Sequence, residues 1–94
     1  MSEQFSVEPV TEHQFVVRAT IEGGVIESWF RADPEVIEEL GLDDVDEAEI
    51  VKQTAVFLAQ HQPVEDFPPM LDLVDVMASY DDYADRIRGQ LRSS

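Results

Sequence analysis

The stretch that decides the fold is His13-Gln14-Phe15-Val16-Val17-Arg18-Ala19-Thr20-Ile21-Glu22-Gly23-Gly24-Val25-Ile26-Glu27-Ser28-Trp29-Phe30-Arg31. From His13 to Ile21 the odd positions Phe15, Val17, Ala19 and Ile21 share one face, and Gln14, Arg18 and Thr20 fall on the other. A period of two marks a half-buried strand. A second run, Val25 to Arg31, sets Ile26, Ser28 and Phe30 against Glu27, Trp29 and Arg31. Gly23-Gly24 between them suits the positive φ angles of a tight hairpin turn. With those glycines as the loop, Ile21 faces Ile26 and Val17 faces Phe30 inside, while Thr20 meets Glu27 and Arg18 meets Trp29 outside. The last pair predicts a cation–π contact.

Phe5 to Val10 reads as a further strand at an edge, because Pro9 has no N–H for a ladder. A three-residue link, Thr11-Glu12-His13, keeps Phe5 and Val7 on the inner side, whereas a two-residue link would turn them outward. Downstream the period changes to that of helices. Asp33 is an N-cap with Pro34 at the first helical position; Val36, Ile37 and Leu40 form a stripe, and Gly41 ends it. Asp46-Glu47-Ala48-Glu49 resembles a capping box. The helix it opens buries Ile50, Val51, Thr54, Ala55, Phe57 and Leu58 and runs to His61. Pro63 to Pro69 reads as a loop. Asp72 then caps a helix whose apolar side is Leu73, Val74, Val76, Met77 and Tyr80. Asp81 or Asp82 caps a last helix carrying Tyr83, Ile87 and Leu91.

The expected architecture is an α+β domain over residues 1–94: a β-meander in 1–32 and a helical part in 33–92. The sheet is antiparallel, two- or three-stranded, in the order 1-2-3, and three or four helices pack on one face. The layout resembles a family of short, uncharacterised bacterial proteins in which a β-hairpin precedes a helix with the pattern Glu49-Ile50-Val51-Lys52-Gln53-Thr54-Ala55-Val56-Phe57-Leu58 and a helical tail. The resemblance covers roughly residues 13 to 91 and implies architecture only. The chain departs from it at Gln60-His61-Gln62-Pro63 and at Pro68-Pro69.

With 94 residues there is material for one core, not two. Forty-four per cent hydrophobic residues exclude a disordered tail, and the absence of cysteine excludes disulfides and thiolate chemistry. No apolar run approaches the ~20 residues that span a bilayer, and the first residues lack a basic targeting region, so a soluble cytoplasmic protein without membrane contact is expected. The net charge is −15, and residues 33–85 hold sixteen acids against Lys52 alone. That sign repels phosphate backbones and favours basic partners.

No cofactor or metal is expected. A calcium loop starting at Asp44 would place Ala48, Glu49 and Ala55 at its fifth, sixth and twelfth positions, and the EF-hand pattern fails at each. His61, near Glu65 and Asp66 in sequence, offers a general base, but equally a favourable group for a helix C-terminus. No nucleophile motif accompanies it, so the chain reads as non-enzymatic.

Two surfaces remain as partner sites. Trp29 with Arg18 forms an aromatic patch, unless helices cover that face or Arg18 shields the ring. Tyr80-Asp81-Asp82-Tyr83 is open to both readings as well. The other surface is acidic, with Glu38, Glu39, Asp43, Asp44 and Asp46. The main expectation is a protein-binding or adaptor domain; the alternative is a nucleic-acid mimic that occupies a basic DNA- or RNA-binding protein. Homodimerisation through the sheet edge or Trp29 is compatible with so small a core.

Overall fold

The computed structural model describes residues 5–21 and 23–92, so Glu22 of the hairpin and the four N-terminal residues fall outside it. Three strands, β1 (Phe5–Thr11), β2 (Gln14–Ile21) and β3 (Gly24–Arg31), form an antiparallel meander. Helices α1 (Pro34–Leu40) and α2 (Glu47–Ala59) follow, then a single 3₁₀ turn at Val64–Asp66. A short strand β4 (Met70–Asp72) leads directly into α3 (Leu73–Ser79), and α4 (Tyr83–Arg92) closes the chain. The class is α+β, as expected, but the sheet is mixed and four-stranded, ordered β1-β2-β3-β4.

The two faces of the hairpin are those read from the sequence; the register differs. Ile21 pairs with Gly24, Val17 with Ser28, Phe15 with Phe30, Thr20 with Val25 and Arg18 with Glu27. Each partner is displaced by two residues, which preserves which side chains point inward and changes only whom they meet. Gly24 is therefore the first residue of β3 rather than part of the loop, and Gly23 before it takes φ 99°. Arg18 gains an ion pair in place of the expected stacking on Trp29: its Nε donates to Glu27 at 2.8 Å.

The β1–β2 link also differs. Thr11 pairs with Gln14, so only Glu12 and His13 lie between the strands. A link of two would reverse the faces of β1, but the register shifts between Pro9 and Thr11, and this bulge restores them. Val7 thus pairs with Val17 and Phe5 with Ala19. His13 takes the left-handed conformation (φ 64°) that the reversal requires. Its Nδ1 lies 2.8 Å from a Glu47 carboxylate oxygen, and its carbonyl accepts from the Ala32 N–H at 2.7 Å.

β4 lies within the span read as helical. It runs parallel to β3, with Phe30 opposite Leu71, and so needs a crossover, which α1 and α2 supply. Pro69 cannot donate, yet its carbonyl accepts the Trp29 N–H at 2.8 Å and opens the pairing.

All six α2 residues expected to be buried are buried. The helix ends at Ala59 rather than His61, and Asp46 makes no side-chain capping bond. The capping box does not form: the Glu49 N–H donates to the Asp46 carbonyl at 3.0 Å, and the Glu49 carboxylate accepts from the Gln53 amide at 3.4 Å. Asp33 and Asp72 likewise occupy N-cap positions without side-chain capping bonds, while Gly41 ends α1 at φ 73°. In α3, Leu73 and Val76 are buried, but Val74 is turned to solvent. The helices do not form one flat layer on the sheet. α2 packs against β1 and β2, α4 packs on α2, and α3 sits beside β4 and α4.

The core joins Phe15, Val17 and Phe30 of the sheet to Ile50, Val51, Leu58, Tyr83 and Ile87 of the helices. One polar pair is buried in it. Thr54 Oγ1 donates to the Ile50 carbonyl at 2.8 Å, which leaves it to accept the Tyr83 hydroxyl, also at 2.8 Å. Burial pushes the Tyr83 hydroxyl up to about 12, with the Thr54 contact opposing the shift. Among the described residues no helix is long and apolar enough to cross a membrane.

Candidate functional site

The outer face of the sheet is where apolar side chains reach solvent. Register places Glu8, Val16, Trp29 and Met70 side by side across all four strands. Val16 is buried but belongs to no part of the helix-side core, so it forms a separate apolar floor on this face. Beside it in register Trp29 is 39% exposed, and the next strand presents Met70 at 55%. Val25, farther along β3, is exposed as well.

Arg18 shares this face, two residues along β2 from Val16. Its Nη1 donates to Glu8 at 2.6 Å and its Nε to Glu27, so one guanidinium ties three strands together. These bonds, Glu8 first and then Glu27, hold the guanidinium above its ordinary value. All three side chains are largely solvated, so the network sets geometry more than stability. The guanidinium is thus held by two carboxylates, and its charge is already matched on the surface.

The acidic candidates lie elsewhere. Glu38 and Glu39 are exposed on α1, Asp43 and Asp44 in the α1–α2 connection, and Asp46 at the entrance to α2. The structure thus separates the expected partner residues into an aromatic sheet face and a carboxylate-rich helical surface. Among the described residues no three histidine or carboxylate groups gather closely enough to hold a metal.

His61 joins neither set. It is exposed, with its ring 4.6 Å from Phe57 and 4.8 Å from Tyr80 between centroids, and it forms no ion pair with Glu65 or Asp66. Tyr80 meets the Phe57 ring edge-on at 5.4 Å, so the histidine caps an aromatic cluster at the end of α2. Of the ambiguous tyrosine pair, Tyr83 is fully buried and Tyr80 half-buried.

Sequence reasoning missed Met70, because only β4 places it beside Trp29, and β4 carries no alternating pattern of its own. It also missed a groove of about 220 Å³ that Met70 borders with Leu58, Pro68, Leu71, Val76 and Tyr80. The His13–Glu47 contact, 34 residues apart in sequence, left no local signal either.

No protein-family model, curated protein or solved structure matches the chain.

Proposed function

We propose that the chain is a non-enzymatic protein-binding domain that engages its partner through the outer face of the sheet, with Trp29 and Met70 as anchors. What carries the reading is the juxtaposition of an exposed tryptophan and an exposed methionine over a buried valine floor, on a face where Glu8, Arg18 and Glu27 supply a polar rim. Aromatic anchors inside a polar border are the usual anatomy of a binding patch. Trp29 is the one tryptophan, so its fluorescence reports contact directly. A partner captured from native extract should be lost on Trp29→Glu and on Met70→Glu, and retained when Glu38, Glu39, Asp43 and Asp46 are changed to their amides. The opposite pattern refutes the sheet-face reading.

The opposite pattern would favour the second reading, a nucleic-acid mimic. Its support is the exposure of Glu38, Glu39, Asp43, Asp44 and Asp46 within a span of sixteen acids and one base. Such a mimic should compete with duplex DNA for a basic DNA-binding protein, with a steep loss of affinity as salt rises.

A further inference from the structure

The groove beside β4 is continuous with the sheet face, because Met70 both follows Trp29 in register and borders the groove. Its floor is apolar: Leu58, Leu71 and Val76 are all buried. Pro68, Met70 and Tyr80 rise around it, and Asp75 and Ser79 stand at the lip, both exposed. At about 220 Å³ it is smaller than the ~300–1,000 Å³ of small-molecule clefts, and it suits one aliphatic side chain rather than a cofactor.

Charge selects what brings that side chain. Residues 63–85, which build most of the groove, contain seven acids and no base, and the one formal charge in the lining is Asp75. An anionic or strongly acidic segment is repelled here, and a neutral one gains nothing from the surrounding field. We propose that the groove seats a short basic segment of a partner protein, inserting one leucine- or methionine-sized side chain over Leu71 and Val76 while a flanking lysine or arginine meets Asp75. This rests on the protein-binding reading above and names the chemistry of the partner.

The test is an amide-resonance titration of the whole chain with a synthetic peptide of one leucine between pairs of lysines. Two controls replace the leucine by serine or the lysines by glutamates. Resonances of Leu58, Leu71, Val76 and Tyr80 should move, and the lysine–leucine peptide should bind roughly tenfold or more tightly than either control, as expected for one buried aliphatic side chain. Asp75→Lys, at an exposed site, should weaken it about fivefold while leaving the rest of the spectrum in place. Equal binding of the leucine and serine peptides would reduce the effect to bulk charge and overturn the proposal. Shifts confined to other surfaces would do the same. Shifts at these residues on concentrating the protein alone would assign the groove to a second copy instead. If a partner from extract survives Asp75→Lys but is lost on Trp29→Glu, the sheet-face reading stands and the groove assignment falls. The converse leaves the groove and removes the sheet face.

Discussion

Trp29 and Phe30 are neighbours on β3 and opposites in setting. Phe30 is wholly enclosed among Phe15, Leu71 and the helices, while Trp29 stands on the outer face with more than a third of its surface in water. The inner face is apolar and covered, whereas the outer one mixes Val16, Val25, Trp29 and Met70 with Glu8, Arg18 and Glu27 and is largely open. The difference teaches that apolar content along a strand measures two separate things, cohesion on one side and display on the other. Display carries a solubility penalty, and a net charge of −15 on the same chain offsets it by keeping copies apart.

If the faces differ in this way, mutations on them should rank accordingly. The largest effect belongs to Phe30→Ala, which leaves a cavity beneath the helices and should cost about 3–5 kcal/mol in urea unfolding. For a domain of this size that is a large fraction of the ~5–14 kcal/mol expected in total. A cost similar to that of changing Trp29 would erase the distinction between the faces.

Next comes the layer behind α2. The folded chain retains the Tyr83 proton up to about pH 12, whereas the unfolded chain releases it near its ordinary value of 10. The stabilisation is complete below pH 10 and drains away as pH rises through 12, a loss of roughly 2–3 kcal/mol. Tyr83→Phe should flatten that alkaline decline and cost about 1 kcal/mol at neutral pH for the hydrogen bond to Thr54. An unchanged alkaline limb in the variant would mean that the core does not enclose this hydroxyl.

Trp29→Thr should cost about 1 kcal/mol, because the ring is only partly covered and threonine keeps a strand-favouring shape. A loss of several kcal/mol would make the outer face structural rather than presented. The smallest effect is expected at Ser28, whose hydroxyl is buried opposite Val17 without a hydrogen-bond partner. Ser28→Ala should raise stability by about 0.5–1 kcal/mol, since it removes a desolvated group. A measured loss would show that the hydroxyl is satisfied in solution.

Which side chains point inward was legible because alternation is local: Phe15, Val17 and Phe30 declare it within a few residues. Their partners were not legible, since a slip of two leaves every face unchanged. The observed register sets Arg18 between Glu27 on one side and Glu8 on the other, an arrangement that alternation alone does not announce. The faces of β1 were read correctly for the wrong link, because alternation counts residues and cannot see a bulge. The burial of α2 was legible in full, because its stripe repeats over thirteen residues. β4 has three residues and a partner forty-one positions away, so neither length nor period announces it. With it went Met70, the groove and half of the candidate site, while Trp29 and the five carboxylates were visible from composition and phase.

One consequence of the bulge concerns crowding. Along β1 the distorted stretch after Pro9 interrupts the row of backbone groups that a foreign chain would copy, and at the opposite margin β4 gives such a chain only three residues to grip. Blunt margins of this kind discourage strand-by-strand polymerisation. Among the described residues the stretch 24–28 of β3, which β4 does not pair, is where such growth would have to start.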